Sequence, residues 1–160
     1  MNADKKIIAF VRRQLDEITA ASEKIRRTNE PLSRRLVLAL SFATYEAAFH
    51  LIRTMLREKY SEEERAGKLN RQELKVLAED RQLSTLNRFL ATITAAGKLN
   101  GKSLDNPRSV PWFTAFESLV KVRHRVTHPK TTTDTNVSET EVQRFAQGTL
   151  WLFARISDAF

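Results

Sequence analysis

The chain predicts an all-α fold, an up-and-down helical bundle of four to five helices in a single domain over residues 1–160. Three observations predict it. Only four glycines and four prolines occur in 160 residues, too little turn chemistry for a many-stranded sheet. Apolar residues recur at helical spacing over long segments. Two capping boxes, Ser61-Glu-Glu-Glu64 and Ser138-Glu-Thr-Glu141, mark helix starts. The hydrophobic fraction of 41% suits a folded domain of this length, which can bury a substantial core. No internal repeat or domain linker interrupts the chain.

The first helix is expected over Asp4 to Arg27, where Ile7, Val11, Leu15, Ile18 and Ile25 form one apolar stripe. Asn29, Glu30 and Pro31 end it, and Pro31 suits the first turn of the next helix. That second helix, about Leu32 to Tyr60, is apolar almost all round and reads as a buried central helix. Glu46 and His50, four residues apart, share one face of it and need partners there. His50 on its own reads as a satisfied core histidine.

A fresh start at Ser61 is followed by a break near Gly67. A third long helix is expected from about Asn70 to Ala96, with Leu74, Leu77, Leu83, Leu86, Leu90 and Ile93 on its apolar face and Gly97 as its stop. Lys98 to Arg108 reads as a loop, with Asn100-Gly101 and Asn106-Pro107 as turn signals. Ser109 is placed to cap a fourth helix opening at Pro111. Trp112 and Trp151 read as core or dimer-interface aromatics. Thr131 to Asn136 reads as a mobile loop before the final helix, which Ser138 caps.

The chain has no cysteine, which removes disulfides and thiolate metal sites and points to a reducing compartment. The apolar run Ile7 to Val11, broken by Arg12 and Arg13, is too short for a secretory signal or a span. A cytoplasmic protein outside the membrane is therefore expected. The formal charge of +8 and pI near 10.1 favour nucleic acid or an anionic surface as partner.

That charge is most concentrated in the decapeptide Lys121-Val-Arg-His-Arg-Val-Thr-His-Pro-Lys130, where Lys121, Arg123, Arg125 and Lys130 have no acid among them. Histidine moves protons near neutral pH, and the guanidinium fork fits phosphate. His124 and His128 share a helical face. Arg123 and His128 are five apart, so a long side chain or a distortion before Pro129 is needed to bring them together. A plainer role for His128 is a cationic cap at a helix C-terminus. Metal binding by His124 and His128 is disfavoured by the basic residues between them, and no metal or cofactor is expected. Phosphate-loop, nucleophile-elbow and dinucleotide signatures are absent.

The pattern Arg123-His124-x-x-x-His128, followed by Pro129 and Lys130, resembles the signature of the HEPN superfamily of small all-α domains. Glu46, in Thr44-Tyr45-Glu46-Ala47-Ala48, resembles the acidic residue that many of its families carry in an earlier core helix. The second motif position is more often asparagine there, which leaves the role of His124 open. The resemblance implies a metal-independent endoribonuclease, toxin-like or defence-associated, that leaves a 2′,3′-cyclic phosphate. It implies His128 as general base or acid and Arg123 as the stabiliser of phosphoryl charge; the second proton-transfer group is either a partner copy's histidine or, instead, His124 within one chain. Glu46 would orient Arg123 or pair with it, and Lys121, Arg125 and Lys130 would guide the RNA backbone. A homodimer with a composite site at its interface is implied, as is an antitoxin partner. The alternative is a non-catalytic module of the same type that binds RNA or protein. The tyrosine that modified members carry after the histidine is missing, Lys130 standing two residues beyond His128.

Overall fold

Pro31, whose ring presets the backbone for a first helical turn, opens the longest helix, α1 (Pro31–Lys59). The computed structural model describes residues 30–79 and 82–160, with 9–10, 13–14, 16–21 and 23–24 of the N-terminal segment. Among the described residues all regular structure is helical and no strand occurs. The described N-terminal residues are helical, and Ile18 enters the core. Ile7, Val11, Leu15 and Ile25 of the expected stripe lie outside the described residues.

One side of α1 supplies Leu38, Phe42, Tyr45, Phe49, Ile52 and Leu56 to the core. Each such side chain contributes roughly 1.5–3 kcal/mol on burial. Ser41 and Thr44 satisfy their hydroxyls by donating to the carbonyls of Val37 (2.8 Å) and Leu40 (3.0 Å). The Tyr45 hydroxyl is hydrogen-bonded to that of Thr149. Burial pushes this phenol well above its ordinary range, against the opposing pull of the Thr149 bond.

The expectation of a wholly buried central helix is corrected on the other side of α1. Leu32, Leu36 and Leu40, spaced by four, are 55%, 58% and 50% exposed. An apolar helix surface thus faces outward as well as inward. By length and composition α1 could cross a membrane, but half of its most apolar window is buried inside the fold.

Two short helices follow, α2 (Glu62–Lys68) and α3 (Arg71–Leu77). The expected Ser61–Glu64 box caps α2. A second box, Asn70–Glu73, caps α3. The single long helix expected over Asn70 to Ala96 is therefore two. Beyond Leu77 the chain reaches Glu79 in the left-handed region (φ 61°), which no helix continues through. Ser84 then caps α4 (Thr85–Leu99) by accepting from the Asn87 N–H.

Gly97 does not stop that helix. It lies inside α4, buried, where an added Cβ would come within 2.5 Å of Leu104. The stop is Gly101, at φ 70°, whose N–H bonds the Lys98 carbonyl while that of Lys102 bonds Gly97. This is the paired geometry of a Schellman end. Asn100 beside it ties three helices, accepting from Lys59 (2.9 Å) and Tyr60 (2.7 Å) and donating to the Ala159 carbonyl (2.9 Å).

After a short 3-10 turn (Pro107–Ser109), α5 (Phe113–Thr127) begins two residues later than expected. Its N-cap is Trp112, in the left-handed region at φ 69°. Ser109 instead donates to the Asn106 carbonyl (2.8 Å). Trp112 is 52% exposed, which corrects a core role for it, whereas Trp151 is 1% exposed. Trp151 belongs to α6 (Glu139–Ala159), which the Ser138–Glu141 box caps as expected. Its ring stacks on Phe116 at 4.9 Å and meets Phe113 edge-on at 5.4 Å.

Gly148 lets α5 and α6 approach: an added Cβ would lie 3.0 Å from the backbone of Phe116 and 2.6 Å from the Leu119 side chain. Overpacking of this kind costs about 1–3 kcal/mol, against a helix-propensity gain of about 1 kcal/mol. Gly148→Ala is expected to lower the thermal midpoint. Gly67→Ala, where an added Cβ meets nothing within 4 Å, is expected to raise it. Calorimetry of the two variants checks both signs.

Candidate functional site

Leu119 and Val122 turn into the core from α5, which leaves Arg123 directed at α1. Its Nη2 lies 2.8 Å from Glu46 Oε1. The same guanidinium stands 5.8 Å from the centre of the Phe42 ring, a stacking distance for a cation on an aromatic face. Glu46 thereby gains a partner, although its side chain is 50% exposed and burial does not demand one.

This ion pair forms part of the wall of a cleft of about 300 Å³, lined by Glu46, Arg53, Thr85, Arg88, Phe89 and Arg123. Arg53 and Arg88 were not foreseen from the sequence. The signal for Arg53 was present: Glu46, His50, Arg53 and Arg57 recur at helical spacing and form one polar stripe along α1. Arg53 is only 5% exposed, and its Nε has no hydrogen-bond partner. Burial, and then the neighbouring Arg88 charge, push its guanidinium below its ordinary pKa.

His50 is corrected from a core histidine to a surface one, its side chain 62% exposed and its Nδ1 3.3 Å from Glu79 Oε1. Glu79 also accepts from Arg57 Nη2 at 3.1 Å. That bond chiefly holds its carboxyl below the usual range. Arg57 in turn donates to the Leu77 carbonyl (3.0 Å), fixing the turn after α3.

The two motif histidines form a separate pair. His124 and His128 are exposed at the C-terminal end of α5, with ring centres 5.0 Å apart. His128 is the C-cap residue, and its N–H bonds the His124 carbonyl at 3.0 Å. The Thr127 hydroxyl donates as well to the carbonyls of Arg123 and His124. Neither imidazole lines the arginine cleft. Within one chain the structure brings Glu46 to Arg123 and His124 to His128, but not one pair to the other.

The expected RNA-guiding cations also divide. Lys121, 3.6 Å from Glu117, is 74% exposed, and Lys130 is exposed. Arg125 is occupied: it donates to the carbonyls of Asp134 (2.9 Å) and Asn136 (2.7 Å) and to Glu141 Oε1 (2.7 Å). It clamps the segment after the histidines against the start of α6. That segment, expected as a mobile loop, contains a 3-10 turn (Thr132–Thr135). Asp134 accepts the backbone N–H groups of Lys130 (2.8 Å) and Thr131 (2.9 Å).

Among the described residues no group of three or more His, Asp or Glu side chains could hold a metal ion. No family model, curated protein or solved structure matches the chain.

The N–H bonds from Lys130 and Thr131 hold the Asp134 carboxyl below its ordinary pKa. Its contribution to stability is complete above the ordinary aspartate value and is lost as the pH falls through the lowered one. Below about pH 4, the stability of the wild-type chain is expected to fall more steeply than that of Asp134→Asn. Urea midpoints across that range check the difference in slope.

Proposed function

We propose that this chain is a metal-independent endoribonuclease of the HEPN type, acting on RNA in the cytoplasm as a toxin-like or defence-associated protein. The observation that carries the reading is the 2.8 Å ion pair between Glu46 and Arg123. It joins the arginine of the motif to the acid of the earlier helix that the resemblance singled out. An up-and-down bundle of four to five helices belongs to the same proposal.

In the proposed reaction the ribose 2′-oxygen attacks the adjacent phosphorus and loses its proton to a histidine acting as base. The bond to the 5′-oxygen breaks, and a second imidazole protonates that oxygen. The products are a 2′,3′-cyclic phosphate and a 5′-hydroxyl. Arg123 stabilises the charge that gathers on the non-bridging oxygens, and Glu46 holds its guanidinium in place. Lys121 and Lys130 draw in the RNA backbone.

Arg123 and His128 leave a straight helix about 140° apart. We therefore place the working site in a homodimer, where the motifs of two copies converge. Leu36 and Leu40, exposed on the helix that carries Glu46, offer apolar surface for that association. An antitoxin would act by covering the exposed histidines or by competing for this surface. The separation of the histidine pair from the arginine cleft favours a second reading, a non-catalytic module that binds RNA or protein through the same basic face.

Cleavage of RNA in excess EDTA distinguishes the two. The wild-type chain is expected to cut and to leave cyclic phosphate ends. His128→Ala is expected to lose about 10²–10⁴-fold in rate, the usual contribution of a general acid or base. Arg123→Ala is expected to lose about 10²-fold or more. Intact RNA across several substrate classes would favour the binding module. Cleavage that persists unchanged in His128→Ala would overturn the mechanism.

A further inference from the structure

A guanidinium taken out of water normally has an anion beside it, because an unpaired buried charge is costly. Arg53 has none. It is 5% exposed and its Nε is unpartnered, and it makes no hydrogen bond or ion pair to any described residue. Its guanidinium nevertheless borders open volume, the cleft of about 300 Å³.

Two further cations border the same space from other helices. Arg88 of α4 is half-buried and is likewise without an ion pair among the described residues. Arg123 of α5 completes the set. Glu46 is the one carboxylate in the lining, and it is engaged with Arg123 at 2.8 Å. Glu79, the acid that acts most strongly on Arg53, does not line the cleft and is engaged by Arg57 and His50. Three arginines against one glutamate leave the lining with a formal charge of +2. Thr85 lines the same volume from the first turn of α4, where the helix dipole favours an anion.

We propose that this cleft is a binding site for a phosphomonoester dianion, held by Arg53 of α1 and Arg88 of α4, with Arg123 as a third donor. The ligand charge follows from the lining. A monoester carries close to −2 near neutral pH, which neutralises the cleft, whereas a backbone diester carries −1. Three guanidinium forks offer the bidentate geometry that phosphoryl oxygens take. The volume exceeds that of a bare phosphate and lies at the lower end of small-ligand pockets, so part of an attached sugar fits beside the Phe89 ring. Two sources supply this chemistry: free phosphate or a mononucleotide, and the phosphorylated end of a nucleic acid. The site does not depend on the cleavage proposed above. It shares Arg123 with that reading and needs neither histidine.

Titration calorimetry with inorganic phosphate, at ionic strength balanced with chloride, tests the proposal. The wild-type chain is expected to bind saturably. His128→Ala is expected to bind equally well, so a failed cleavage mechanism leaves this result standing. Arg88→Gln, a change at a half-buried position, is expected to weaken binding about tenfold or more, the scale of one charge-assisted bond. Arg53→Gln is expected to do the same, and if it does not fold, Arg88→Gln decides.

A short 2′-O-methyl oligonucleotide with a 5′-phosphate and its 5′-hydroxyl twin separate the sources. Binding of the phosphorylated form at least about tenfold tighter than inorganic phosphate assigns the site to a nucleic-acid end. Binding no tighter than that, or indifferent to the terminal phosphate, assigns it to free phosphate, and either result supports the site. No saturable phosphate binding, or unchanged affinity in both arginine variants, would overturn it.

Discussion

The close approach of α5 and α6 at Gly148 is the constraint on which the arrangement of the candidate site depends. The absent side chain lets the Phe116 backbone come against α6, and the Phe116–Trp151 stack fills the space beside it. Close-packed interiors tolerate little sliding, so this seam sets the rotation of α5 about its own axis. Successive helical residues differ by about 100°. With Leu119 and Val122 turned inward, Arg123 meets Glu46 on α1, Arg125 meets Glu141 on α6, and His124 is left to solvent. One packing contact thus assigns three different tasks to residues within three positions of each other.

Much of this was legible in the chain because it is local. The Ser61 and Ser138 boxes and Pro31 mark helix starts through interactions spanning a few residues, and a one-dimensional reading captures those. Stops proved harder. Gly97 and Gly101 look alike in sequence, and only the position of Leu104 makes one a packing glycine and the other a left-handed end. The Asn70 box went unread because the leucines on both sides of the break keep a compatible period. The pairing of Glu46 with Arg123, 77 residues apart, was accessible only through family resemblance. Nothing local could announce that Arg53, Arg88 and Arg123 share one cleft, since three separate helices deliver them.

The strongly basic composition divides by role once the contacts are known. Arg57 and Arg125 spend their donors on backbone carbonyls and carboxylates that fix turns. They act as geometric clasps, which matters more than the small energy of any exposed ion pair. Lys121 and Lys130 stay solvated at the surface. Arg53 belongs to neither group, being buried without an ion-pair partner among the described residues. A formal charge of +8 therefore overstates the freely available cationic surface and conceals a buried member, Arg53.

The contrast between the two indoles gives the molecule a pair of built-in optical probes. Trp151 is sealed in the aromatic core and Trp112 stands half in solvent at the left-handed entrance to α5. Their emission differs in colour accordingly, and an aqueous quencher such as iodide reaches Trp112 alone. Coincident transitions from independent probes are the mark of all-or-none melting. Loss of the blue, unquenched signal follows the α5–α6 seam, while the red signal follows the first turn of the helix that bears the histidines. Without any label, the chain's own fluorescence reports whether that helix opens before the core does.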